Sequence, residues 1–148
     1  MGVKQKANNL ISRYTRIQGQ LYHQIEKVEH SMILLEQRKN GLLGPFRDKN
    51  KIDMLINGLD DYKRELNGHA HFMDVKLSVL NKEAENPNAT VRSLAEISSN
   101  LYHGEKSIEM PIKLRLALAN HGIKFTEADK INLTAGCGLF GAESDFSM

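Results

Sequence analysis

Apolar residues recur every three or four positions over most of the first forty residues of the chain. Within that stretch the spacing runs 4, 3, 4, 4, 3, 4, 3 along Leu10, Tyr14, Ile17, Leu21, Ile25, Val28, Met32 and Leu35. At about 100° per residue these side chains fall in one narrow stripe, which is typical of a coiled-coil-like helix. The pattern therefore predicts one long amphipathic helix over residues 8–39.

A second stripe of the same kind follows a short turn, in which Gly41, Gly44 and Pro45 stop the first helix. It comprises Ile52, Leu55, Leu59, Tyr62, Leu66, Met73, Leu77 and Leu80, and it predicts a helix over residues 51–84. Two long amphipathic helices joined by a short loop form an antiparallel hairpin. Residues that face each other across it should have numbers that sum to about 92.

The last third of the chain shows three shorter helix signals. We predict helices over residues 91–103, from Pro111 to the glycine at 122, and after a Thr126–Asp129 capping box, and we expect no strand. The predicted fold is all-α: a helical hairpin over residues 1–85, a compact three-helix region over 86–135 packed on it, and a flexible or partner-ordered tail over 136–148.

Phe72, Val75 and Val79 form a second apolar strip on the second helix, roughly opposite its main stripe. An exposed apolar patch of this kind promotes association, so we expect it to be a docking strip that the C-terminal third covers. The hairpin seam itself is narrow and weakly supported against the entropy of ordering two long helices. We therefore also expect self-association into an assembly of four or more helices.

The charge is unevenly distributed. Residues 1–51 hold ten Lys and Arg against four Asp and Glu, a net charge of +6, whereas residues 52–148 carry −4. One cationic cluster lies at the predicted hairpin tip, and it comprises Arg38, Lys39, Arg47, Lys49 and Lys51. Another lies at the opposite end, and it comprises Lys4, Lys6, Arg13 and Arg16. Either cluster could bind phosphates or an acidic protein, although cations in the last turn of a helix also stabilise its dipole.

No residue set in the sequence points to catalysis, a metal or a cofactor. His23, Glu26 and His30 have metal-ligand chemistry, but their spacing places them on the outside of the first helix, where a solvated face explains them. The chain lacks the nucleophile-elbow, P-loop and zinc-protease motifs. Cys137 is a lone thiol in the tail with no base nearby. We expect a protein that is not an enzyme.

These patterns favour a non-enzymatic, oligomeric helical adaptor or assembly protein whose partners are a second copy of itself and another protein. The alternative is a small nucleic-acid-binding regulator or packaging protein that uses the hairpin tip or the helices of residues 90–122. No run approaches the ~18 apolar residues of a membrane span. The single cysteine suits a reducing compartment, so we expect the cytoplasm or a particle assembled inside the cell.

Overall fold

Two long helices dominate the structure, a computed structural model that describes residues 2–41, 46–99 and 107–133. Helix α1 spans Val3–Asn40 and helix α2 spans Phe46–Glu85. They pack against each other along their length, so the predicted all-α fold with a long helical hairpin is confirmed. Both helices begin about five residues earlier than expected. In α1 the reason is that Val3 and the buried Ala7 extend the same apolar stripe.

Side-chain pairs across the hairpin confirm its predicted register. Asp74 accepts a hydrogen bond from Gln18, the Lys63 ammonium lies 3.4 Å from the Glu29 carboxylate, and Lys39 lies 2.7 Å from Asp53. Each pair fits the sum expected from the position of the turn. The stripe residues of both helices are buried between them, and they form the hydrophobic core of the hairpin.

One polar layer interrupts the apolar seam between the long helices. The amide nitrogen of Gln24 donates a hydrogen bond of 3.2 Å to the Tyr62 hydroxyl, and both side chains are buried. Burial raises the pKa of Tyr62, because the phenolate would be poorly solvated between the helices. Because each group satisfies the other, the layer favours the register that brings them together.

The C-terminal part contains two short helices and a small β-ribbon. Helix α3 spans Val91–Ser99 and helix α4 spans Ile112–Ala119. The turn that follows α4 contains Gly122, whose φ of +77° favours glycine. Strand β1 (Ser107–Ile108) pairs antiparallel with strand β2 (Ile131–Asn132).

The β-ribbon and the turn before it correct two predictions. We expected no strand, yet the buried Ile108 pairs with the buried Ile131. The predicted final helix is also wrong, because the Thr126–Asp129 capping box is present but closes a single 3₁₀ turn before β2 begins. The predicted end of the third helix at residue 103 and the tail at 136–148, with Cys137, lie outside the described residues.

Both C-terminal helices lie on one face of the hairpin. The Ser93 hydroxyl, at the start of α3, donates a hydrogen bond of 3.1 Å to Glu83 of α2. Leu114 of α4 packs against α2 at Gly58, where a side-chain carbon would lie 2.8 Å from a Leu114 methyl carbon. The hairpin and the C-terminal elements share one hydrophobic core, to which Ile108, Phe125, Ile131 and Leu133 contribute from the ribbon region.

Candidate partner-binding surfaces

The apolar strip of α2 remains on the surface. Phe72, Val75 and Val79 lie on successive turns and are 37%, 47% and 40% exposed. The ammonium of Lys76 lies 5.5 Å from the centre of the Phe72 ring, a cation–π contact at the edge of the strip. The described part of the C-terminal third thus leaves these side chains more than a third exposed, contrary to our expectation that it covers the strip. The docking role of the strip stays a prediction.

The strip keeps this exposure because of where the C-terminal helices attach. Helix α3 contacts α2 near Glu83, and α4 contacts α2 at Gly58. The strip lies between these two attachment points on the same flank of α2, as the helical spacing of residues 58, 72, 79 and 83 shows. The side chains of the strip therefore face outward beside the C-terminal region rather than beneath it.

A partly buried ion pair joins the C-terminal region to α1. The Lys27 ammonium lies 3.0 Å and 3.1 Å from the two carboxylate oxygens of Asp129, and 4.3 Å from the centre of the Phe125 ring. Burial alone would raise the pKa of Asp129, but the hydrogen bond from the Thr126 backbone N–H and the charge of Lys27 outweigh it and hold that pKa below its usual value. The C-terminal surface is thus presented in a defined orientation.

Polar contacts join the two long helices on the face of the hairpin opposite the Lys27–Asp129 ion pair. Gln18 and Tyr22 of α1 both donate hydrogen bonds to the Asp74 carboxylate of α2, the latter over 2.8 Å. The hydrogen bond to Asp74 raises the pKa of Tyr22, with smaller contributions from burial and from the charge of Asp74. The Glu29–Lys63 ion pair lies further along this face. These contacts make it a solvated polar surface.

Two cations of the hairpin-tip cluster are already engaged within the chain. The Arg38 guanidinium donates to the backbone carbonyl of His121, and Lys39 forms its ion pair with Asp53, which raises the pKa of Lys39. The Arg47 side chain lies outside the described residues, while Lys49 is half-buried and the last member, at position 51, is exposed. The two members of the cluster that lie on α1, Arg38 and Lys39, are therefore held by contacts within the chain.

The basic cluster at the opposite end is also dispersed. Lys4 and Arg16 are exposed, whereas Lys6 is only 8% exposed, and both Lys6 and Arg13 already take part in interactions within the chain. A cavity of about 300 Å³ lies beside Lys4 at the open end of the hairpin, and its wall includes the carboxylate-bearing Glu83. Four cations of one helix thus occupy unlike environments.

The metal-type side chains of α1 lie where their spacing predicts. His23, Glu26 and His30 are all exposed on the outside of the hairpin. Within the described parts of the chain, no three His, Cys, Asp or Glu side chains are grouped so that they could hold a metal ion. Across the same residues, no helix combines the length and apolar character needed to cross a membrane.

Helix α4 carries an apolar surface that sequence reasoning missed. Ile112 and Leu116 are each 60% exposed, on the side of α4 away from Leu114 and the fully buried Leu118. The signal was present in the sequence, because α4 has large apolar residues on both of its faces. Spacing alone does not say which of the two faces is turned inward.

Helices α3 and α4 do not form a helix-turn-helix unit. The connection from Ser99 to Ile112 is far longer than the three- or four-residue turn of that motif. The centre of the outer face of α4 is aliphatic, and its two cations, Lys113 and Arg115, lie on opposite sides of that centre rather than in one row that could read base edges. Comparisons of the chain with protein families, with curated proteins and with solved structures find no match.

Proposed function

We propose that the protein is a non-enzymatic helical adaptor or assembly protein that self-associates through the apolar strip of α2. The observation that carries the proposal is the exposed row of Phe72, Val75 and Val79 on successive turns of α2. A contiguous exposed apolar row rimmed by polar residues is a feature of protein–protein contact surfaces.

The strip supports an assembly that depends on concentration. Fully burying a Val or Phe side chain stabilises by about 1.5–3 kcal/mol, so covering the part of each that remains exposed contributes about 1 kcal/mol. In a two-fold contact the three residues count twice, for about 6 kcal/mol, which is near the low end of the cost of association. We therefore expect further contacts along α2 and measurable dissociation on dilution.

The test compares the mass of strip variants with the mass of a matched control in light scattering after size exclusion. Val75→Ser/Val79→Ser should shift the protein to the monomer, because it removes the centre of the contact. Ile33→Ser, on α1, removes an apolar side chain that is 55% exposed and should leave the mass unchanged. Equal masses for the strip variant and the unaltered chain would refute self-association through the strip.

Nucleic-acid binding through the hairpin tip remains the alternative proposal, and the engagement of Arg38 and Lys39 leaves it less support. If it holds, the chain should bind DNA or RNA with an affinity that falls steeply with salt. The triple charge reversal Arg47→Glu/Lys49→Glu/Lys51→Glu should then abolish binding. Unchanged binding after this reversal would remove the tip from consideration.

A further inference from the structure

Helix α4 has the composition of a buried helix but only one buried side. Its inner face holds Leu114, which packs on Gly58, and the fully buried Leu118. Its outer face holds Ile112 and Leu116, each 60% exposed, one turn apart. A helix with large apolar side chains on two opposite faces normally has both of those faces covered. The outer face of α4 therefore has the character of an interface whose second side is missing.

The charges carried by α4 itself have one sign. At about 100° per residue, Arg115 lies on one side of the Ile112–Leu116 row and Lys113 lies on the other. Helix α4 contains no Asp or Glu. Within the described residues, no carboxylate forms an ion pair with either cation. The surface is thus an apolar ridge with an uncompensated cation along each edge.

We propose that the outer face of α4 binds an acidic amphipathic helix of another protein. Such a helix would lay its apolar side on Ile112 and Leu116 and place carboxylates beside Lys113 and Arg115, which is the helix-packing mode of peptide recognition. Charge complementarity decides the partner, because opposite charges at the rim steer association and like charges exclude the wrong helix.

Other occupants fit this face less well. Two copies of α4 packed face to face would bring Lys113 and Arg115 of one copy against the same cations of the other, which opposes self-association here. An anionic membrane would match the charge, but two large apolar side chains are too few for an interfacial helix to insert with useful energy. The ridge suits a partner that supplies both apolar contact and carboxylates.

The inference goes beyond the proposed self-association and uses a different surface. The strip at residues 72–79 lies on α2, whereas the α4 ridge is held near Gly58. A chain that stays monomeric could still bind the acidic helix, and a self-associating chain could fail to bind it. The two proposals therefore fail separately.

The binding test uses two designed helical peptides of equal length and equal apolar content. Both carry leucines at i, i+3, i+4 and i+7, and one has glutamates at the flanking positions where the other has lysines. The full chain should bind the glutamate peptide in fluorescence anisotropy, and it should bind the lysine peptide at least tenfold more weakly. Added salt should weaken the binding of the glutamate peptide.

Two variants locate the binding on α4. Ile112→Ser/Leu116→Ser should lower the affinity for the glutamate peptide about tenfold or more, since the apolar centre of an interface carries most of its affinity. Lys113→Glu/Arg115→Glu should reverse the preference toward the lysine peptide. The substituted side chains lie on the outer half of α4, and unchanged circular dichroism checks that the fold is kept. Val75→Ser/Val79→Ser, on the α2 strip, is the matched control and should bind as the unaltered chain does.

Several results would overturn the proposal. These are failure of the unaltered chain to bind the glutamate peptide, equal binding of both peptides, and full binding by both α4 variants. Binding to phosphatidylserine vesicles without binding to the glutamate peptide would also overturn it, in favour of a membrane surface. A monomeric mass in light scattering would refute self-association through the strip and leave the inference on α4 intact.

Discussion

Two glycines of α2 offer a matched test of whether α4 packs where the structure places it. A side-chain carbon added at Gly58 would lie 2.8 Å and 3.2 Å from the two methyl carbons of Leu114. One added at Gly68, on the same helix, would meet no atom within 4 Å. Replacing glycine by alanine inside a helix stabilises it by about 1 kcal/mol when nothing obstructs the new methyl group.

The two alanine variants should therefore change stability differently. Gly68→Ala should raise the free energy of unfolding by about 0.5–1 kcal/mol. At roughly 2–4 °C per kcal/mol for a chain of this size, Tm should rise by about 1–4 °C. In Gly58→Ala part of this gain is lost, because the Leu114 methyl carbons must shift to make room for the new methyl group. We expect that variant to gain less stability than Gly68→Ala, by about 0.5–1 kcal/mol, or to be unchanged.

Urea unfolding followed by circular dichroism measures both effects, and a double-mutant cycle isolates the contact. In a Leu114→Ala background the obstruction is gone, so Gly58→Ala should now stabilise as much as Gly68→Ala does. If Gly58→Ala stabilises the unaltered chain as much as Gly68→Ala, then Leu114 does not pack on Gly58 and the reasoning about the orientation of α4 is refuted.

Two further variants probe the polar contacts. Tyr62→Phe leaves the buried Gln24 amide without its acceptor, so the free energy of unfolding should fall by about 1–3 kcal/mol, and an unchanged urea midpoint would contradict the buried pair. The lowered pKa of Asp129 means that its stabilisation is complete above the ordinary value of 3.8 and is lost as the pH falls through the folded-state value. Lys27→Met should therefore flatten the acid-side loss of stability, and an unaltered pH profile of unfolding would show that Lys27 does not contribute.

The hairpin was predictable because its signal repeats many times. Nine buried positions of α2 follow one helical stripe, from Ile52 to Leu80, and each repeat confirms the same period. The register followed from the position of the turn alone. The early start of α1 was missed because Val3 and Ala7 are weak members of the stripe, and the burial of Ala7 depends on packing against the other elements.

The C-terminal region could be predicted only in part, because its structure depends on contacts between distant residues. Strands of two residues have no alternation to detect, and the pairing of Ile108 with Ile131 appears only when the chain has folded. The location of α4 depends on the space that Gly58 leaves for Leu114. For this reason the sequence revealed the apolar strip of α2 but not the fact that α3 and α4 leave it exposed.

The same limit applies to the candidate surfaces. The cations of the hairpin tip were visible in the sequence, but the bond from Arg38 to the carbonyl of His121 joins residues far apart in the chain. The exposed pair Ile112 and Leu116 was not singled out, because α4 carries apolar residues on both faces. Which face of α4 is buried depends on its packing against the rest of the chain.

The mass of the unaltered chain in solution tests the central claim most directly. Light scattering at protein concentrations from about 1 to 100 μM should give a mass that rises above the 16.7 kDa of one chain toward that of a dimer or a larger assembly. The rise should be reversible on dilution, as expected for an interface built on a short apolar strip. A constant mass of one chain over the whole range would contradict the proposal that this protein assembles through α2.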